Sequence, residues 1–202
     1  MKIEPVALVS DTGRVRVEPL RMDHAPALFA AIDDADTWRW RPDPRPRDAA
    51  EMQTRVAAIL DEAARGLRVP FVIRVRDGDG PGTEHLAGST SFLDLQPGNR
   101  ALEIGWTIIG PRWRRTFVNS ECKLMLLTHC FETLGCIRVG FRIDARNDRS
   151  RRAVERLGAV EEGVLRKNKI NHDGYLRDTV CYSILAEEWP AAKAHIASLI
   201  RP

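Results

Sequence analysis

Apolar and polar residues alternate along VRVEPL (15–20), VPFVIRVR (69–76), HLAGSTSFLDL (85–95) and ALEIGWTII (101–109). A period of two marks strands that turn one face to a core and the other to polar surroundings. The same reading covers CIRVGFRID (136–144), AVEEGVLRKNKI (159–170) and YLRDTVCYSIL (175–185), making seven strand segments. Between them the period changes. Asp23 stands where it can cap a first helix to about Ile32, and Asp48 caps a second, AAEMQTRVAAILDEAARG, that stops at Gly66. CKLMLLTHCFETLG (122–135) reads as an apolar helix begun near Asn119. NDRSRRAVERLG (147–158) reads as a short helix, and EEWPAAKAHIASLI (187–200) closes the chain as another. Three prolines within residues 41–46 forbid regular structure in DTWRWRPDPRPRD (36–48). DGDGPG (77–82), QPGNR (96–100) and NHDG (171–174) read as turns. Without an internal repeat or a dividing linker, residues 1–202 read as one mixed α/β domain.

Composition narrows the functional classes. At 202 residues, 44% hydrophobic and 29% charged, the chain is an ordinary soluble domain with enough length for a sizeable core. Its net charge of +3 is too small to mark a general polyanion binder, so any anion site must come from local clustering. No apolar run approaches a membrane span, and MKIEPVALVSDTG lacks a signal-peptide core. A cytoplasmic protein with no membrane partner is expected. Cys122, Cys130, Cys136 and Cys181 form no C-x-x-C pair and the histidines are scattered, so no metal is expected and the thiols read as small buried hydrophobes.

Local clustering occurs in GPRWRRTFVNSE (110–121), between a strand and a helix. A helix start presents unpaired backbone N–H groups and the positive end of a dipole, which suits an anion. Arg112, Arg114 and Arg115 add charge there, and Thr116 or Asn119 can cap the helix or meet a phosphate oxygen. An exposed basic loop before a capped helix is the alternative. Nucleic acid fits less well, because residues 138–169 interleave ten Lys/Arg with five Asp/Glu where a groove binder needs a basic stripe.

The ordered segments EIGWTIIGPRWRRTFVNSECKLMLLTHCFETLGCIRV, DARNDRSRRAVERLGAVEEGVLR and DGYLRDTVCYSIL resemble the GNAT acetyltransferases, specifically the RimJ/RimL-like branch. The resemblance implies a mostly antiparallel sheet of about seven strands with a splayed parallel pair and helices on both faces. It implies acetyl-CoA as cosubstrate and a single acetyltransferase domain. The pyrophosphate would lie on the loop of Arg114, Arg115, Thr116, Phe117, Val118 and Asn119. Phe117 takes the place of a family glycine there, and its bulk demands a negative φ. The pantetheine arm would pair with the backbone of Trp106, Thr107 and Ile108 as an added strand does. Asn147 and Ser150 match residues that meet the cofactor arm, Ser150 also as a proton donor to the leaving thiolate, and both can serve as helix-cap residues. The position where many relatives carry a tyrosine acid is Val154.

Acyl transfer to an amine needs a base, because only the neutral amine attacks. Glu103 is the first candidate and Glu162 the second; either can equally be a solvated strand carboxylate. Strict alternation puts Glu103 and Gly105 on one face and Trp106 on the other, so Trp106 joins Glu103 only if the strand bulges. The implied activity is acetylation of a primary amine, a protein N-terminus or a small amine. A degenerate acyl-CoA-binding module is the alternative. Trp38, Trp40 and the loop NKINHDGY (168–175) flank the expected acceptor side, where the tryptophans can instead pin the proline-rich loop. Exposed strand edges and the branch's habit point to a homodimer.

Overall fold

The alternating segments assemble into one sheet in the computed structural model, which describes residues 1–78 and 83–200. Its strands are β1 Leu8–Val9, β2 Val15–Pro19, β3 Arg68–Arg76, β4 Glu84–Gln96, β5 Ala101–Ile109, β6 Arg138–Asp144, β7 Val160–Ile170 and β8 Leu176–Leu185. Their order across the sheet is β1-β2-β3-β4-β5-β6-β8-β7. The helices are α1 Ala25–Ile32, α2 Ala35–Trp38, α3 Ala49–Ala64, α4 Val118–Thr128, α5 Asp148–Glu155 and α6 Trp189–Ile200. Every pairing is antiparallel except β5 with β6, which are parallel.

Local chemistry accounts for most boundaries. Asp48 caps α3, accepting the Glu51 amide at 2.8 Å. Asp23 does not cap α1: it lies within a 3-10 turn, Met22–His24, and pairs with Arg21 at 3.1 Å. One helical turn, α2, forms ahead of the prolines because Asp34 accepts the Thr37 amide at 3.0 Å. β1 is a further departure, a two-residue strand in the stretch that shows no pattern, held by pairing with Val17 and Arg16. α4 ends in a π-helical turn, His129–Thr133. The turn expected at 77–82 falls largely at 79–82, outside the described residues.

The sheet separates two cores. On one side α4, α5 and α6 bring Val118, Leu126, Val154, Trp189 and Ile196 onto Phe71, Phe92, Ile104 and Phe141. On the other, α1 and α3 bring Leu28, Ile32, Met52 and Val56 onto Val72 and Ile108, with Trp38 beside them. Trp38 donates its indole N–H to the Ile32 carbonyl at 3.0 Å, so this tryptophan pins the loop start. Ile104 and Ile108 would share a face of a regular strand, yet they enter opposite cores. Something between them reverses the alternation.

α4 also carries charge into its core. Glu121, with a side chain only 1% exposed, accepts from Arg14 at 2.5 Å and from Thr12 at 2.7 Å. The pair ties the turn before β2 to the start of α4. Arg14 also lies over the Phe117 ring, its Cζ 4.1 Å from the centroid.

Candidate active site

The reversal is a β-bulge. Ser91 pairs with Gly105 and Ser89 with Ile108, so Trp106 and Thr107 together oppose Thr90. Trp106 takes φ 51°, a left-handed backbone uncommon for so bulky a residue. β5 pairs with β6 only through Ala101–Arg138, Leu102–Val139 and Glu103–Gly140, whereas β6 continues against β8 to Asp144. Beyond Glu103 the parallel strands therefore part. The β6-facing backbone of β5 is left free to pair with an extended ligand, and Trp106–Ile108 form that edge.

The bulge sorts side chains between the two faces. Glu103, Gly105 and Trp106 come to the α1/α3 side, so the condition for Trp106 to join Glu103 is met. The Glu103 carboxylate lies over Gly105, where a Cβ would sit 2.7 Å from its Oε1. Its side chain is 12% exposed and 3.5 Å from Arg142. Burial raises its pKa, against the opposing pull of Arg142 and Lys169. A carboxyl displaced in that direction is better matched to accepting a proton near neutrality. The Trp106 ring lies beneath two guanidinium groups, Arg41 at 4.5 Å and Arg68 at 5.2 Å from its centroid.

Thr107 points to the α4 side. Its hydroxyl accepts from Lys123 Nζ at 2.7 Å and shares a 2.9 Å hydrogen bond with Thr90. Lys123 is buried, and burial pushes its pKa down to about 8, with the Cys122 and Cys130 thiols acting the other way. A buried ammonium thus braces the bulge from behind.

The basic loop takes a shape of its own. Pro111–Trp113 make a 3-10 turn, Arg115 has φ 60°, and Phe117 has φ −61° as its bulk demands. The left-handed position is therefore Arg115, two residues before the place aligned with the family glycine. Arg114 does not face outward: it binds Asp34 at 2.6 Å and the Thr37 hydroxyl, joining the loop to α2. Arg112 pairs with Asp77 at 2.5 Å, while the Arg115 side chain is exposed. Thr116 accepts the Val118 amide at 3.3 Å, and the next amides of α4 lack intrahelical partners. Val118 is fully buried and Asn119 half-buried, so what they offer an anion is chiefly backbone N–H.

Asn147 is the N-cap of α5, accepting the Ser150 amide at 3.1 Å, which matches the cap reading for Asn147 but not for Ser150, since the helix already begins at Asp148 and Ser150 lies within its first turn. Asn147 lies in a cleft shared with Trp40 and Arg146, and Arg146 stacks on Trp40 at 4.9 Å. The two loops that flank the cleft meet where the His172 amide donates to the Pro42 carbonyl at 2.8 Å. Glu162 is placed differently. It binds Arg138, where β6 begins, and accepts from Ser183 at 2.8 Å, and the Arg138 hydrogen bond holds its carboxyl low. That end of β6 is the paired end, away from the parting strands.

Sequence reasoning missed Lys123, Arg41 and Arg68. Lys123 had one signal, a charge inside an apolar helical run; the two arginines had none, because nothing local says which guanidinium a strand start or a loop will bury.

Comparison with known proteins bears on the family and the fold. Residues 14–160 match the family described as an acetyltransferase (GNAT) domain. The chain is 29% identical over 179 residues to YoaA, an uncharacterised N-acetyltransferase of Bacillus subtilis, covering 88% of this chain and 96% of that one. A GCN5-related N-acetyltransferase from Brucella melitensis superposes with TM-score 0.86 at 28% identity, covering 100% of this chain and 88% of the other. Mycobacterium smegmatis RimJ, solved with CoA-disulfide, shares the fold at TM-score 0.77 and 24% identity, over 96% and 93% of the two chains.

Lys123 makes the stability of the bulge pH-dependent. Its folded pKa of about 8 lies below the unfolded value of 10.5, so between them the unfolded chain holds a proton that the folded chain lacks. Stability contributed by this group therefore rises with pH across that window, by about 3 kcal/mol in full. Lys123→Met removes the titration. Denaturant unfolding from about pH 8 to about pH 10 should show the native protein gaining on the variant. A stability difference that stays constant with pH would contradict the assignment.

Proposed function

The chain belongs to the GNAT family of N-acetyltransferases, and we propose that it transfers an acetyl group from acetyl-CoA to a primary amine. The observation that carries this reading is the parted β5–β6 edge at the Trp106 bulge, with the raised carboxyl of Glu103 on the same strand. The residues fit acetyl-CoA in two places. The loop from Arg115 to Ser120 offers amides on either side of Val118, whose own amide Thr116 accepts, to a pyrophosphate, with the exposed Arg115 beside them. The free edge of Trp106–Ile108 suits an arm that alternates amide donors and acceptors. The RimJ structure with CoA-disulfide supports the same use of the fold.

When bound, acetyl-CoA supplies the activated acyl group. The chain supplies the rest. Glu103 accepts the proton of the incoming ammonium, directly or through water, so that a neutral amine is presented. A backbone N–H at the bulge stabilises charge developing on the carbonyl oxygen. The Ser150 hydroxyl, at the start of α5, returns a proton to the departing sulfur. Glu162, bound to Arg138, has no part in this scheme. A module that binds acyl-CoA without chemistry is the second reading, and the raised, half-buried Glu103 favours the enzyme.

A homodimer is also proposed. β7 is the last strand of the sheet, and all eleven of its residues are exposed, Val164, Leu165 and Ile170 among them. An uncovered edge this long, with apolar side chains exposed among its charged ones, invites strand pairing with a second copy.

Glu103→Gln is expected to lower kcat by about 100-fold or more while leaving acetyl-CoA affinity within about twofold. In the native enzyme, kcat should fall as the pH drops through the raised Glu103 pKa, because the protonated carboxyl accepts nothing; the variant should lack that limb. Equal turnover in the variant would transfer the role to water. Sedimentation at micromolar concentration should give a dimer, and a mass at the 22.8 kDa of one chain would exclude it.

A further inference from the structure

On the α1/α3 side of the bulge, guanidinium groups gather, with Asp43 and Glu103 opposing them only through longer-range charge. Arg41, from the proline-rich loop, stacks on both Trp106 and Trp38, at 4.5 and 5.3 Å. Arg68, where β3 begins, covers Trp106 at 5.2 Å, and Arg55 of α3 covers Trp38 at 4.8 Å. Arg177 of β8 lies close enough to Arg41 to repel it. Four guanidinium groups thus converge around two tryptophans.

Their hydrogen-bonding capacity is not used up. Arg41 Nε, Arg55 Nη1, Arg68 Nε and Arg177 Nε are each buried without a partner among the described residues. Arg68 and Arg177 have side chains only 5% and 7% exposed. Buried N–H groups of this kind are normally paired. The nearby acids do not supply the match. Glu62 reaches Arg68 only through Nη1, at 3.2 Å, and Asp144 gives both oxygens to Arg146, with Arg177 4.0 Å away. Burial, together with the like charges of Arg55, Arg68 and Arg177, depresses the pKa of Arg41 to about 9 against the pull of Asp43. Unpaired planar forks in a water-poor, cationic setting are complementary to an oxyanion.

Resting on the acetyltransferase reading above, we propose that these arginines bind an oxyanion, carboxylate or phosphate, carried by the amine acceptor itself. The placement sets where that group must lie. Trp106 is the bulge residue at the parting of β5 and β6, so an oxyanion held by Arg41 and Arg68 lies next to the point of acyl transfer. The acceptor is then a small amine whose acidic end sits close to its amino group. A peptide N-terminus presents neutral amides at that distance and leaves the guanidinium groups unmatched.

Thiol release from acetyl-CoA, followed over a panel of α-amino acids, their carboxamides and aminoalkylphosphonates, tests the assignment. Free acids or phosphonates should exceed the matching carboxamides in kcat/KM by about 10- to 100-fold, as expected for a charged hydrogen bond. Whether carboxylates or phosphonates lead identifies the oxyanion. Arg68→Met should erase the preference, raising KM for the free acids to the level of the matching carboxamides. Arg41→Lys keeps the charge but loses the fork, and serves if the methionine variant folds poorly. Carboxamides or peptide N-termini accepted as well as free acids would overturn the oxyanion site and leave the acetyltransferase standing. Melting temperature in acetate or phosphate against chloride at matched ionic strength provides a readout without turnover. Stabilisation that is lost in Arg68→Met, with no amine acetylated, would keep the anion site and overturn the transferase reading. Neither turnover nor stabilisation would overturn the proposal.

Discussion

A left-handed backbone at Trp106 costs about 1–3 kcal/mol for a residue of this size, and such strain persists only where surrounding structure fixes it. Here it is fixed from three directions. β4 pairs on both sides of the bulge, at Ser91–Gly105 and Ser89–Ile108. Lys123 and Thr90 hold the Thr107 hydroxyl from the α4 side, and Arg41 and Arg68 cover the Trp106 ring from the other. From that one irregularity follow the parting of β5 from β6, the arrival of Glu103 and Trp106 on one face, and the assignment of Ile104 and Ile108 to different cores.

Charge is distributed unevenly about the same point. Behind the bulge a single buried lysine is braced by hydroxyls. In front of it four guanidinium groups each keep a buried nitrogen without a partner among the described residues. At the loop before α4, two of the three arginines are neutralised, Arg114 by Asp34 and Arg112 by Asp77, which leaves Arg115 and the helix amides to meet an anion. A net charge of only +3 conceals this arrangement, because paired charges elsewhere cancel and the uncancelled ones are few and local.

Much of the fold was legible because period-two alternation and cap residues are local signals. Asp48 and seven of the eight strands follow from them, and the bulk of Phe117 disfavours a positive φ there. What stayed hidden depends on contacts distant in sequence. Strict alternation assigns Trp106 to the wrong face, since a bulge is set by register against β4. Arg114 reads as a phosphate ligand until Asp34 is seen beside it. Asp23 reads as a cap, whereas Arg21 draws it into an earlier turn. Lys123 and Glu121 vanish into a helix read as apolar, and their partners Thr107 and Arg14 lie on other elements.

The parted edge of β5 and the start of α4 are proposed to receive one extended, pyrophosphate-bearing ligand. Amide hydrogen exchange with and without acetyl-CoA reads this directly, residue by residue. Added protection is expected only at Trp106–Ile108 and at 115–120, with β7 unchanged. Protection centred elsewhere, or none at saturating acetyl-CoA, would contradict it.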